Sequence, residues 1–106
     1  MEHTWIVSVA RSKDWQPFQV ALVGRLLDRG LSVRMGYMRW EVEVSEWAQY
    51  VSAVASVWAE FSRWSEHRWL MSATYTVRIR RDDMGAWKHV WMKVDNGGVR
   101  YGSVSC

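Results

Sequence analysis

"AWKHVWMKVDNGGVRY", residues 86–101, predicts two β-strands joined by a two-residue Asn-Gly turn, because Asn and Gly accept the positive φ angles of a type I′ turn. Alternate side chains of a strand point to opposite faces of its sheet. One face of the first strand carries Ala86, Lys88, Val90, Met92 and Val94. The other carries Trp87, His89, Trp91 and Lys93. Which of these faces is buried decides both the fold and the candidate site.

The preceding stretch, residues 69–81 (WLMSATYTVRIRR), predicts a long strand with a similar division. Its apolar side is Met71, Ala73, Tyr75, Val77 and Ile79, and its polar side is Ser72, Thr74, Thr76, Arg78 and Arg80. An antiparallel sheet commonly packs one face on the core and leaves the other in water. We therefore expect the apolar side to join Val90, Met92 and Val94 in the core.

Two helices are predicted upstream of these strands. Residues 15–29 have apolar side chains at helical spacing, with Asp14 as the N-cap and Gly30 as the C′ residue. Residues 46–66 follow the capping residue Ser45 and carry one broad apolar stripe, formed by Trp47, Tyr50, Val51, Val54, Val57, Trp58, Phe61 and Trp64. Beside it runs a strip of small residues, Ala48, Ser52, Ala55, Ala59 and Ser62, which predicts a close approach to the first helix.

Residues 31–45 contain a change of phase in the strand pattern. Apolar side chains occupy odd positions up to Met35 and even positions from Met38 onward. One regular strand cannot keep both sets on the same face. Gly36 lies at the change, so it forms either a bulge in one long bent strand or a turn between two short strands. We favour the bulge, because no strong turn dipeptide is present.

With a further strand at residues 4–10, the elements follow the order β-α-β-α-β-β-β. This order predicts an α+β fold, in which a mostly antiparallel sheet has both helices packed on one face. Residues 1–106 are interpreted as a single domain, since no linker or repeat interrupts the pattern.

The candidate site follows from this one-sided packing, because the second face of the sheet is then exposed. We predict that this face binds a partner through Arg78, Arg80, Trp87, His89, Trp91 and Lys93. Tryptophan and arginine are the residues that most often anchor protein interfaces. A competing interpretation is that Trp87 and Trp91 stack on arginine side chains across the strands and merely protect the sheet.

Composition favours a binding surface as well. The chain has nine tryptophans, more than one small core needs, and a formal net charge of +3. Lysine occurs only at Lys13, Lys88 and Lys93, so arginine supplies most of the fourteen basic side chains. Arginine makes planar, bidentate contacts that suit interfaces. A GC-rich genome would favour both arginine and tryptophan codons, so composition alone does not decide the matter.

No pattern predicts an enzyme, a metal site or a cofactor. The histidines His3, His67 and His89 lie far apart in the sequence, without metal-ligand spacing, and Cys106 is the single cysteine. Glu41 and Glu43 share one strand face and could hold a metal, but we favour a solvated strand face, because it matches the ordinary polar-out pattern. Asp82 and Asp83 are interpreted as turn residues. We therefore expect a protein that is not an enzyme.

The sequence shows neither a signal peptide nor a stretch long and apolar enough to cross a membrane. We expect a cytoplasmic protein that does not contact a membrane.

Three functional hypotheses remain. The first is a small module that binds another protein, as a phage or mobile-element inhibitor does when it occludes a surface of a host enzyme or a defence complex. The alternative is a single-stranded nucleic-acid-binding protein that uses the exposed aromatic and basic face. The third is a homodimer, formed through the small-residue strip of the second helix or through an uncovered strand edge near the C-terminus.

Overall fold

The structure, a computed structural model, describes residues 4–13, 16–61, 72–81, 84–95 and 97–104. It has the predicted α+β fold, with two helices and six strands in the described part of the chain. The elements are β1 (Trp5–Ala10), α1 (Gln16–Asp28), β2 (Ser32–Met35), β3 (Arg39–Val44), α2 (Trp47–Phe61), β4 (Ser72–Arg81), β5 (Met84–Asp95) and β6 (Gly98–Ser103).

The six strands form one sheet in the order β2-β3-β1-β4-β5-β6, and every neighbouring pair is antiparallel. The elements from β1 to β4 follow the split β-α-β arrangement, in which each helix connects two strands that have a third strand between them. The hairpin of β5 and β6 extends the sheet on the side of β4. This arrangement supports many unrelated functions, so it does not by itself suggest one.

Residues 31–45 form two strands, so the bulged single strand that we favoured is wrong. The Gly36 N–H donates to the carbonyl oxygen of Arg39 at 2.8 Å and closes a turn between β2 and β3. A Cβ at Gly36 would lie 2.6 Å from that same oxygen, which real Cβ atoms do not tolerate. The turn also absorbs the change of phase, since Met35 and Trp40 become cross-strand partners on the same face.

The end of α1 agrees with the prediction. Gly30 has a positive φ of 79°, and its N–H donates to the carbonyl of Leu27 at 2.9 Å. The Leu31 N–H donates to the carbonyl of Leu26 at 3.1 Å. These two bonds form a Schellman motif, which satisfies the last carbonyls of the helix. The predicted N-cap, Asp14, lies outside the described residues.

The start of α2 is fixed by the side chain of Gln49. The Gln49 Oε1 accepts hydrogen bonds from the backbone N–H groups of Ser45 at 2.7 Å and Glu46 at 3.4 Å. This is the return half of a capping box. The predicted continuation of the helix beyond Phe61 lies outside the described residues.

The core lies between the sheet and the two helices. Phe18 of α1 packs edge-on against Trp58 and Phe61 of α2, with ring centroids 5.6 and 6.0 Å apart. Of the side chains that we expected to face inward, Ala73, Val77, Met92 and Val94 are buried, while Tyr75, Ile79 and Val90 pack against the core from its margin. Met71 lies outside the described residues.

The small-residue strip of α2 does not form the predicted close contact along its length. Ala48, Ser52, Ala55 and Ala59 are exposed, and Ser62 lies outside the described residues. The hydroxyl of Ser52 accepts a hydrogen bond from Arg29 of α1, and Ser56 accepts one from Arg25. Long polar side chains of α1 and the aromatic cluster therefore make the contact between the helices.

The turn between β5 and β6 spans two residues as predicted, but it is not of type I′. The positive φ, 114°, belongs to Gly98, and Gly97 is not among the residues with a positive φ. The Gly97 N–H donates to Asp95 Oδ1 at 2.8 Å. An Asx-type hydrogen bond to Gly97 and a positive φ at Gly98, just after the turn, are thus the described features of this hairpin. Asn96 lies outside the described residues.

A pair of tyrosines, Tyr50 fully buried and Tyr75 partly buried, joins α2 to β4. The hydroxyl oxygens of Tyr50 and Tyr75 lie 3.0 Å apart, within hydrogen-bond distance. Burial raises the pKa of Tyr50 well above its usual range, and the adjacent Tyr75 adds to the rise. Burial raises the pKa of Tyr75 to about 12, against a smaller lowering by the hydrogen bond with Tyr50.

We expect this pair to make the protein sensitive to alkali. In the unfolded chain both tyrosines ionise near pH 10, whereas the folded protein holds them neutral. The stabilisation is therefore complete below about pH 10 and is lost as the pH rises towards 12, by about 1.4 kcal/mol per pH unit for Tyr75. The double variant Tyr50→Phe, Tyr75→Phe removes both hydroxyls and leaves neither unpaired, so its free energy of unfolding should fall less steeply. Denaturant unfolding at a series of pH values measures this difference. If the free energy of unfolding falls equally steeply with pH in both proteins, the tyrosine pair is not the cause of the alkali sensitivity.

Candidate interaction surface

The sheet surface away from α1 and α2 is here named the open face. The six predicted site residues lie on it: Arg78 and Arg80 on β4, and Trp87, His89, Trp91 and Lys93 on β5. The register places Arg78 opposite His89 and Thr76 opposite Trp91. Their sequence neighbours, such as Val77 and Met92, point into the core on the other side. The structure therefore brings all six residues to one surface.

Trp87 contacts two arginines. The guanidinium carbons of Arg78 and Arg80 lie 4.9 and 4.5 Å from the centroid of its indole ring, within cation–π distance. The Nε atoms of both arginines are buried and have no hydrogen-bond partner among the described residues. The protective stacking that we considered for both tryptophans thus occurs at Trp87. It also fixes two guanidinium groups side by side.

Arg39 extends this arginine cluster across β1. Its Nε donates to the Ser8 hydroxyl at 2.8 Å, and an Nη donates to the Ser8 carbonyl at 2.9 Å. Ser8 is fully buried, although it belongs to the open face. Burial lowers the pKa of Arg39, the positive charge of Arg78 lowers it further, and the Glu41 carboxylate acts in the opposite direction. Arg39 therefore lies close enough to Arg78 for the two charges to repel.

Sequence reasoning missed Arg39 as a site residue. The alternation of Arg39, Glu41 and Glu43 against Trp40, Val42 and Val44 places it on the polar face of β3. What the sequence did not reveal is that β3 lies next to β1, which in turn lies next to β4. Without that strand order, nothing in the sequence indicates that Arg39 and Arg78 lie near each other.

Trp91 differs from Trp87 in its surroundings. It is 39% exposed, and it forms no cation–π contact with any described residue. Its indole ring lies over Gly102, its cross-strand neighbour on β6. A Cβ at Gly102 would come within 2.8–2.9 Å of three indole atoms. A glycine at this position therefore allows the indole to lie across β6 instead of standing away from the sheet.

The positive charge at the hairpin end of the open face is partly balanced by Asp95. Arg100 of β6 forms an ion pair with Asp95 of β5, and 3.0 Å separates Nη2 of the arginine from Oδ2 of the aspartate. The hydrogen bond from the Gly97 N–H lowers the pKa of Asp95, and the hydrogen bond and charge of Arg100 act in the same direction. Lys93 and Arg100 are cross-strand partners. The positive charge at this end is thus partly balanced by a fixed carboxylate.

The open face as a whole carries an excess of positive charge. Its described cations are Arg34, Arg39, Arg78, Arg80, Lys93 and Arg100, against the carboxylates of Glu41, Glu43 and Asp95. Among the residues that the structure describes, the Arg100–Asp95 pair is the one ion pair on this face. Arg39, Arg78 and Arg80 therefore have guanidinium charge available for an anionic group.

Glu41 and Glu43 lie on the open face, as a solvated strand face predicts. Within the described ranges, no three His, Cys, Asp or Glu side chains are grouped so that they could hold a metal ion. His3, His67, Asp82, Asp83 and Cys106 lie outside those ranges. No helix in the described part of the chain is long and apolar enough to cross a membrane.

Comparisons of the chain with protein-family models, curated proteins and solved structures found no match. The geometry of the surface therefore carries the functional argument. Three features define this surface: the arginine cluster of Arg39, Arg78 and Arg80, the partly buried indole of Trp87, and the exposed indole of Trp91.

The two tryptophans should differ in their effect on stability. Trp91→Ala should lower the free energy of unfolding by no more than about 1 kcal/mol, as is usual for a surface site. Trp87→Ala should cost about 1–2 kcal/mol, because it removes two cation–π contacts as well as packing. Trp58→Ala, in the core, serves as the control and should cost about 3–5 kcal/mol. Denaturant unfolding measures all three, and a loss for Trp91→Ala as large as that for Trp58→Ala would show that the indole is covered.

Proposed function

We propose that this protein is a non-enzymatic binding module whose open face docks on an acidic surface of another protein. The observation that carries the proposal is the arrangement of Arg78 and Arg80 around Trp87, beside the exposed Trp91. Arginine and tryptophan anchor interfaces because they combine large contact area with directed hydrogen bonds. Here the guanidinium groups are already held by the indole, so binding orders few additional side chains.

The same geometry favours a protein over a single-stranded nucleic acid. Stacking of several bases needs several free aromatic rings. The ring of Trp87 is already in contact with Arg78 and Arg80, which leaves Trp91 as the open ring of the predicted pair. Glu41 and Glu43 share the face and would repel a continuous phosphate backbone. A protein surface with a few carboxylates fits this mixed pattern better.

We further propose that the protein acts by occlusion in the cytoplasm. A sheet covered by helices on its other side presents a rigid surface, and a module of this kind can block the surface that it covers. The phage and mobile-element inhibitors that act on host enzymes or defence complexes form the class with this mode of action. The charge and aromatic content of the open face support this class, and no catalytic residue is needed for it.

The test is affinity capture with matched variants. The variant Arg78→Gln, Arg80→Gln removes two charges from the open face, and the control Lys13→Gln, Lys88→Gln removes two exposed charges that do not lie on this face. We expect one protein partner to be retained by the unmodified protein and the control, and to bind about thirtyfold more weakly to Trp91→Ala and to the open-face variant. Retention must survive nuclease treatment. Capture of nucleic acid alone, or equal retention by both double variants, would refute the proposal.

Single-stranded nucleic acid remains the second candidate, because Trp91 is exposed beside the cation Lys93 and the imidazole of His89. If an oligonucleotide binds there, it should quench tryptophan fluorescence, and the quenching should fade as salt rises. Trp91→Ala should then abolish most of the quenching, while Trp87→Ala should change it less. No quenching at low salt would exclude this function.

A further inference from the structure

A cavity of about 580 Å³ opens on the opposite side of the molecule, between α1 and the turn that joins β2 to β3. Its walls are apolar and come from both elements: Val20 and Val23 of α1, and Met35, Tyr37 and Met38 of the turn region. Trp40, which is almost fully buried, forms part of its floor. Pockets of this volume with predominantly apolar walls are the usual sites for small molecules.

The cavity exists because α1 does not cover the whole inner face of β2. Val33 and Met35 both point towards the helices, since they are paired with the buried residues Val42 and Trp40. Val33 packs against the core, whereas Met35 is 54% exposed. Val20 on the facing side of α1 is 64% exposed. Several exposed apolar side chains around one concavity indicate a binding site better than scattered ones do.

The rim of the cavity is positively charged. Arg11 and Lys13 line it, and within the described residues no carboxylate does. Arg11 is held in place, because its backbone N–H donates to the Met38 carbonyl at 3.0 Å and its Nη1 donates to the Gly36 carbonyl at 3.1 Å. Its remaining guanidinium N–H groups can donate to an anion at the rim.

We propose that this cavity binds a small amphipathic carboxylate, a molecule with an apolar chain or ring and one terminal carboxylate group. The apolar body would lie between Val20 and the two methionines, which adapt their shape to a ligand better than branched side chains do. The carboxylate would pair with Arg11 and Lys13 at the rim. This site lies on the helix side of the sheet, so it is independent of the partner proposed for the open face.

Octanoate is a suitable probe. 1-Octanol serves as a control that has the apolar chain without the charge, and acetate as a control that has the carboxylate without the chain. Each is titrated into the full chain and followed by amide and indole N–H resonances. We expect octanoate to shift the resonances of residues 35–38 and of the Trp40 indole, and to bind about tenfold more tightly than 1-octanol. Acetate should leave these resonances unchanged. Absence of shifts with octanoate, or equal affinity for 1-octanol, would overturn the proposal.

Matched variants separate the cavity from nonspecific binding. The double variant Arg11→Gln, Lys13→Gln and the single variant Val20→Gln should each weaken octanoate binding about tenfold or more. Leu27→Gln is the control, because Leu27 lies on the same helix, is 53% exposed and does not line the cavity. An equal loss with Leu27→Gln would contradict the proposal. A concentration-dependent dimer that buries residues 35–38 and excludes octanoate would contradict it too.

Discussion

The close approach of Gly36 to the Arg39 carbonyl is the constraint on which the rest of the structure depends. It reverses the chain within a few residues, so that β2 and β3 become neighbours and the split β-α-β order can form. The same turn sets the phase of β3, which points Trp40 into the core and Arg39 to the open face. It also supplies one wall of the cavity on the helix side. One glycine therefore positions elements of both candidate surfaces.

The second constraint is that two helices cover only one face of a six-stranded sheet. The open face must then be protected by its own side chains, and the arginines serve this purpose. Arg39 covers Ser8, and Arg78 and Arg80 flank the Trp87 indole. Long arginine stems shield apolar surface while their charged ends stay near water. Protection of the sheet and presentation of positive charge are thus properties of the same side chains.

The fold class, both helices and the facing of β4 and β5 were predictable, because period-2 and helical patterns in those segments are long and regular. The turn at Gly36 was not, since it depends on a close contact with the Arg39 backbone and not on a recognised turn dipeptide. The shared face of the six proposed site residues could also be predicted, because the alternation of side chains along β4 and β5 can be read directly from the sequence. The contribution of Arg39 and the different environments of Trp87 and Trp91 depend on strand order and on Gly102, which alternation does not encode.

The charges on the open face are arranged differently at its hairpin end and at its centre, and this difference bears on whether the face only protects the sheet or also binds a partner. At the hairpin end, Asp95 pairs with Arg100, as opposite charges do when they only stabilise a sheet. At the centre, burial lowers the pKa of Arg39, repulsion by the charge of Arg78 lowers it further, and Glu41 offsets only part of this. A carboxylate at either position would relieve that repulsion and shield the strands as well. Protection alone therefore does not explain the central cluster, and this supports the proposal that the open face binds an acidic partner.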